Sequence, residues 1–369
     1  MKSYNHLMER FLSDDNYRLA VRNATIHKGG KKRKYRKERY YRDHVEEKKE
    51  EILDYAAHFH NQKHKPKLIY DGIRRKQRFI IVPTMPEQIV HHMIVNVLKP
   101  IFLRPMYEHS YGSIPGRGAH SAKARIEKWI RNDAENTKYC MKLDIKKYFD
   151  SIPHDILKAK FARLIHDDAF LSVLNELIEA SGTDKGIPIG FYTSQWIANW
   201  YLTELDHYIK EELHATYSVR YMDDMVIFGS SKAELHEMRK KIEAYLNQRL
   251  GLRLKENWQI FLLDTVTEDG KHIGRDLDFM GFRFFRDRTL LRKSIMLKAT
   301  RKARRICRKG HTTVHDSRQM LSYLGWLACT NTYGMYKKRI KPYVSFRCLK
   351  RHESTYQKIQ NRRVLANVV

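Results

Sequence analysis

No stretch of this 369-residue chain stays apolar for the roughly 18 to 20 residues that spanning a bilayer takes. The start, Met1 to Leu12, is polar and lacks the apolar centre of a secretion signal, so a soluble cytoplasmic protein is expected. Cysteine is scarce: Cys140, Cys307, Cys329 and Cys348 lie far apart with no CxxC pair, which excludes a disulfide scaffold and a zinc ribbon and leaves reduced thiols. There is no internal repeat. Acidic residues are short as well, 42 against 71 Lys and Arg, and the net charge of +29 makes a polyanion the expected partner rather than a small metabolite. What is plentiful is hydrophobic sequence, 42% of the chain, enough for a sizeable core in two or three compact units and too much for global disorder.

Between Lys31 and Arg39 seven of nine residues are basic, directly after Gly29-Gly30. Such a run either stays solvated or releases counterions from phosphates; with this net charge, contact with nucleic acid is expected. Glu46 to His60 has helical spacing, Arg78 to Pro83 (RFIIVP) reads as a short strand, and Ile89, Met93, Val97 and Ile101 recur at four-residue steps as one buried helix stripe. The glycine-rich loop SYGSIPGRGAHSA, from Ser110, runs into a helix over 119–129 and is of a kind that can cradle phosphate. His58, His60 and His64 alternate on charged sequence and are read as solvated rather than metal-bound.

Carboxylates are rare at the ends of buried strands, because an uncompensated charge taken out of water is costly. Three stand at such places here. A strand from Tyr139 to Leu143 ends at Asp144, and Asp223-Asp224 sits between the arms Ser218–Tyr221 and Met225–Phe228 of a hairpin. If the two strands lie side by side, the carboxylates converge and only cations would hold them together. Oxygen ligands on rigid strands suit Mg²⁺, and two such ions roughly 3.5 to 4 Å apart activate an attacking 3′-hydroxyl and stabilise departing pyrophosphate. Nucleotidyl transfer is the expected reaction. An aromatic-x-Asp-Asp tetrapeptide such as Tyr221-Met222-Asp223-Asp224 also arises by composition in roughly one chain of this length in ten, so the order of the surrounding motifs carries more weight.

That order is LDIKKYFDSI around Asp144, then GIPIGFYTSQWIANWYL (Gly186 to Leu202), then RYMDDMVIF (Arg220 to Phe228). Here the sequence resembles a reverse transcriptase. The resemblance runs from about Arg74 to Thr332: RFIIVP and SYGSIPGRGAHSA are similar to fingers motifs, LDFMGFRFF (Leu277 to Phe285) to the primer grip, and SYLGWLACTNTYG (Ser322 to Gly334) to part of a thumb. It implies an α+β right-hand polymerase. Residues 1–60 would form a basic N-terminal extension and 61–140 the fingers. Residues 141–290 would form the palm, an antiparallel sheet flanked by helices with fingers residues interleaved around 155–185, and 291–369 a short, basic, helical thumb.

By the same resemblance Asp144, Ile145, Asp223 and Asp224 take the metal-binding positions for two Mg²⁺ ions, with Mn²⁺ as a substitute, and Tyr221 and Met222 complete the motif. Phe149 would lie beneath the incoming sugar, where its ring clashes with a ribose 2′-hydroxyl; the competing reading is a core aromatic. Lys76 and Arg78 are candidates for gripping the triphosphate, or plain solvent-exposed charge, and Gly190 belongs with the nucleotide site. Lys255, in LGLRLKENW, resembles a lysine that assists pyrophosphate departure as a general acid. Nine of the twenty residues from Leu291 to Gly310 are Lys or Arg, near Tyr323, Trp326 and Tyr333, a combination suited to gripping a template-primer duplex by phosphates and shape.

One segment indicates a branch. Group II intron and most other prokaryotic reverse transcriptases carry glutamine just before the second glycine of GIPIG and Ser-Pro four residues after it; here Ile189 and Ser194-Gln195 stand. That combination resembles the reverse transcriptases of diversity-generating retroelements, whose family activity is copying a template-repeat RNA into cDNA with frequent misincorporation opposite adenine. Exchanging an amide for a branched aliphatic group removes a polar constraint, and about 1 to 2 kcal/mol of lost discrimination is a tenfold effect or more. The competing reading is that Ile189 only packs under the template. The implied partners are template RNA, primer, dNTPs and a small basic helical accessory oligomer, in a bacterial, archaeal or phage-encoded protein. The rivals are an antiphage-defence reverse transcriptase of different RNA specificity and a non-enzymatic RNA-binding protein on a polymerase scaffold. A retron enzyme is disfavoured because its Val-Thr-Gly tripeptide is absent, and an intron maturase because little sequence follows the thumb region.

Overall fold

The computed structural model describes residues 3–26, 36–71 and 76–366. Of the basic run Lys31–Arg39, residues 31–35 lie outside the described residues; Arg36 begins a helix, Arg36–Asp43, that has no buried residue. The chain divides into two compact units, one of residues 1–122 and 139–260 and the other of residues 123–138 and 261–369.

The first unit is built on antiparallel pairing. Its strands are β1 (Lys67–Asp71), β2 (Lys76–Ile80), β3 (Ser110–Tyr111), β4 (Tyr139–Asp144), β5 (Tyr217–Tyr221) and β6 (Asp224–Gly229). β1 and β2 form a separate hairpin, and the other four run in the order β3-β5-β6-β4, with β3 parallel to β5 and the rest antiparallel. β6 reads Met225-Val226-Ile227-Phe228 without alternation because all four are buried, the pattern of a strand covered on both faces.

The helix Met85–Leu103 starts with a capping box, in which Thr84 and Glu87 exchange side-chain and backbone hydrogen bonds. Its burial is wider than one stripe: Val90, Ile94, Val95 and Leu98 are buried along with Ile89, Met93, Val97 and Ile101. The helices Asp14–Thr25 and Tyr192–Tyr201 both pack on it, and a helix enclosed in this way becomes apolar nearly all round. The capping Glu87 also holds His64, 2.8 Å from its Nε2. His64 is therefore packed against the fold rather than solvated, since an almost fully buried carboxylate needs a donor.

One buried ion pair ties the sheet to the helices beside it. The Arg220 guanidinium, on β5, donates to both Asp206 oxygens (2.7 and 2.6 Å), to Ser110 Oγ (3.1 Å) and to the Asn199 carbonyl (3.2 Å). It also donates to the carbonyl of Met222 at 2.9 Å. A planar fork with five donors is the one side chain that can serve so many acceptors at once.

In the second unit the strands Leu277–Phe279, Phe282–Phe284 and Thr289–Leu291 form an antiparallel meander, with Phe279, Phe282 and Phe284 fully buried. Trp326 is half-buried and packs on Phe282 with ring centroids 4.9 Å apart. The helix Lys293–Lys309 buries Met296, Ala299, Ala303 and Ile306 and leaves Lys298, Arg301, Arg304, Arg305 and Arg308 exposed. The helix Val314–Ala328 is capped by Thr313 in a capping box with Asp316, which also accepts from Lys302 at 2.5 Å.

Replacing Arg220 with alanine strands the buried Asp206 charge. Urea unfolding of Arg220→Ala is expected to show a loss of about 3 to 5 kcal/mol, far beyond that of an exposed cation such as Arg301→Ala.

Candidate active site

Strand register alone brings the predicted carboxylates together. In the β4–β6 ladder Asp144 pairs directly with Asp224, and in the β5–β6 ladder Tyr221 pairs with Asp224. Met222 and Asp223 are left as the two residues of the hairpin turn. Met222 takes a φ of 57°, the sign that the primed turns of tight hairpins require at their first position. For a residue with a side chain this conformation costs roughly 1 to 2 kcal/mol, and the bond from Arg220 to its carbonyl helps to hold it. The turn is also pinned from β4, since the Ile145 N–H donates to the Asp223 carbonyl at 3.3 Å. Ile145 itself is fully buried.

Lys255 completes the tip. Its backbone N–H donates to the Asp144 carbonyl at 2.8 Å, and its Nζ donates to Asp144 Oδ2. The other oxygen, Asp144 Oδ1, is buried and has no hydrogen-bond partner.

The sequence family of reverse transcriptases (RNA-dependent DNA polymerase) matches residues 62–284, a span that holds every one of these groups. The chain belongs to this family. Its curated relatives include Protein YkfC of Escherichia coli (strain K12), 24% identical over an alignment of 255 residues that covers 58% of this chain and 65% of that one. The Retron Ec73 reverse transcriptase of Escherichia coli is 25% identical over 243 residues, 60% of this chain and 72% of that one. The chain thus spans just under two thirds of the length of YkfC. Among solved structures, apo telomerase from Candida tropicalis, truncated from its C-terminal domain, aligns with a TM-score of 0.45 at 17% identity, over 62% of this chain and 54% of that one.

In this chain the aspartates are electrostatically strained. Burial, and then the neighbouring Asp144 charge, pushes Asp224 up from 3.8 to about 6, and the same two causes raise Asp223. Lys255 and Arg78 act in the opposite direction on Asp223. As the side chains stand, no three His, Cys, Asp or Glu groups among the described residues converge tightly enough to enclose one ion, and Asp144 gives Oδ2 to Lys255. The donor set nevertheless fits a divalent cation: its donors are all hard oxygens, one oxygen is buried and unsatisfied, and two carboxylates are burdened by negative charge.

Two glycines fasten the segment Gly186–Gly190. The N–H groups of Gly186 and Ile187 donate to the carbonyls of Ile152 and Phe149 at 2.7 and 2.8 Å, which ties it to the short Tyr148–Ser151 helix after Asp144. At the other end the Ile81 N–H donates to the Ile189 carbonyl at 2.8 Å. Gly190 has a φ of 121°, and a Cβ there would lie 2.0 Å from the Ile81 carbonyl oxygen, so no other residue fits without moving the backbone. Ile189 is half-buried, between the palm segment and the residue that follows β2. Ser194 and Gln195 part company: on the helix Tyr192–Tyr201 neighbours face different ways, and Ser194 is buried while Gln195 is exposed. Phe149 is half-buried and meets Tyr148 edge-on at 5.6 Å. Lys76 opens β2, and its side chain lies outside the described residues; Arg78 sits two residues on in the same strand.

Three groups were not singled out by sequence reasoning. Arg220, Asp206 and Asn199 form the buried network behind the turn, and Asn199 also donates to the Gly112 carbonyl at 2.9 Å. Gly112, in the loop read as a phosphate cradle, lies against the β5–β6 hairpin: a Cβ there would be 3.2 Å from the Tyr221 and Met222 side chains.

Between about pH 4 and 6 folded Asp224 holds a proton that the unfolded chain has released, so its contribution favours folding below that window and is lost as pH rises through it. In a chelating buffer at pH 7.5, Asp224→Asn is expected to raise unfolding stability by about 1 to 3 kcal/mol and to flatten the pH dependence between about 4 and 6, as thermal melts at several pH values will show.

Proposed function

We propose that this reverse transcriptase is the RNA-directed DNA polymerase of a diversity-generating retroelement, copying a template-repeat RNA into cDNA that is mutagenic at adenines. The observation that carries the chemistry is the β4–β6 register, which sets Asp144 opposite Asp224 at the mouth of a hairpin whose turn is Asp223. Asp144, Asp223 and Asp224, with Ile145 beside them, would hold two Mg²⁺ ions, for which Mn²⁺ can substitute. When bound, such ions supply a lowered pKa for the primer 3′-hydroxyl and charge neutralisation at the leaving pyrophosphate.

The remaining roles belong to this chain's own side chains. Lys255, hydrogen-bonded to Asp144, would give a proton to pyrophosphate. Arg78, close enough to stabilise the Asp223 charge, and Lys76 in the same strand would grip the triphosphate, with Gly190 leaving room for it. Phe149 would exclude the ribose 2′-hydroxyl. Ile189, in place of a hydrogen-bonding amide, loosens base selection, and Ser194 and Gln195 mark the same branch. Residues 61–290 act as interleaved fingers and palm and residues 291–369 as the thumb, where the exposed cations of Lys293–Lys309 bind template and primer by their phosphates. A basic helical accessory oligomer would share the RNA, and the compartment is the cytoplasm.

Extension of a DNA primer on a homopolymer RNA template with Mg²⁺ and dNTPs should proceed with the native chain and fall by more than about 10³-fold in Asp223→Ala/Asp224→Ala. No metal-dependent incorporation by the native chain would leave an RNA-binding protein instead. On a template of mixed sequence the cDNA should carry its errors chiefly opposite adenine, and Ile189→Gln should lower them about tenfold. Errors spread evenly over the four bases would point to a reverse transcriptase of another RNA specificity, such as an antiphage-defence enzyme.

A further inference from the structure

Away from the carboxylates, a cavity of about 440 Å³ opens in the second unit where the helices Val314–Ala328, Tyr333–Arg339 and Phe346–Ala366 meet. Leu324 and Leu327 make its floor, and three aromatic rings make its wall. The rings form a ladder. Tyr333 and Tyr336 have centroids 6.0 Å apart at 35°, and Tyr336 and Phe346 follow at 5.8 Å and 28°. The ladder runs from solvent into the core, since Tyr333 is 62% exposed and Phe346 only 8%. Arg347 and Lys350, both exposed, complete the lining, and Lys337 stands 4.9 Å over the Tyr333 ring. No acidic residue is among the described residues that line it.

We infer that this cavity binds an unpaired nucleobase of single-stranded RNA, stacked on Tyr333, with the flanking phosphates on Arg347 and Lys350. The chemistry selects that occupant. An exposed ring at the head of a ladder can take a further stacked partner, and every nucleobase has a π-face to offer it. Within a duplex those faces are already covered by neighbouring base pairs, so the ladder is of no use to the template-primer duplex that the exposed cations of Lys293–Lys309 grip by phosphates. Cations without a facing carboxylate attract a phosphodiester and repel a basic peptide. The inference rests on the polymerase reading in one respect only, that RNA is the nucleic acid this chain meets, and it adds a hold on template that has not yet paired.

The test uses the full chain and a fluorescent, unstructured 12-nucleotide RNA, with a blunt RNA–DNA duplex of the same length as comparison. Tyr333→Ala is expected to weaken single-strand binding by roughly 5- to 100-fold, the measured range for a stacked base, and to change duplex binding less than twofold. Tyr333→Trp should bind the single strand at least as tightly as the native chain. Arg347→Gln/Lys350→Gln should make the dependence of log affinity on log salt shallower by roughly 1.4, two phosphate contacts on a single strand. Melting curves check that each variant is folded, which an exposed Tyr333 makes straightforward. Equal losses on single strand and duplex, or native single-strand affinity in Tyr333→Ala, would overturn the inference; the second result is also what a cavity reserved for an apolar segment of a partner protein would give. Primer extension separates the two readings. Incorporation of dNTPs with Tyr333-independent RNA binding sinks this inference alone, and Tyr333-dependent binding without any incorporation sinks the polymerase reading alone.

Discussion

Three like charges held at one end of a strand pair are the constraint around which the first unit is arranged. Asp144 and Asp224 face each other across a ladder and Asp223 occupies the turn beside them, so the Asp144 charge raises the proton affinity of both Asp223 and Asp224. Left to itself such a tip would splay. It is held from behind by backbone: the Ile145 N–H grips the Asp223 carbonyl, and Lys255 bonds Asp144 through both main chain and side chain. Beneath the turn, Arg220 bonds the Met222 carbonyl and is itself locked by Asp206, Ser110 and Asn199. Positive charge thus meets the acidic tip from two sides, with Arg220 buried below the turn and Lys255 and Arg78 close to the carboxylates themselves.

This division of labour gives the strand ends different jobs. Residues at the tip are burdened: a carboxylate oxygen without a partner, a methionine at positive φ, acids titrating too high. Residues one layer down are satisfied almost to the last donor. A polar site kept poised in this way gains pre-organisation at the cost of local stability, a trade that functional sites commonly make.

Much of this was legible in the sequence, and the rest was hidden for physical reasons. β4 and the β5–β6 hairpin could be read because their apolar arms end abruptly in acids. The burial of the Met85–Leu103 helix was underestimated because a stripe at four-residue steps reports one neighbour, whereas this helix has packed neighbours on several sides. Arg220 gave no signal at all: an arginine before a turn looks solvated, and its partner lies 14 residues earlier on another element, a spacing that no helix or strand rule flags. His64 was misread for a similar reason, its Glu87 partner being 23 residues away. Gly112 looked like part of a phosphate loop because glycine announces close approach without saying to what; here it is the Tyr221 and Met222 side chains. The grouping of residues 123–138 with 261–369 had no linker or composition shift to betray it.

The fastening of Ile189 has an evolutionary corollary. Its place is set by main-chain bonds at Ile81 and by a glycine on its C-terminal side, while its own side chain supplies none of the bonds that hold it there. A mutation at this codon therefore changes the side chain without removing the main-chain bonds that hold the segment in place. Sequence at this position can vary while the backbone course around it is kept.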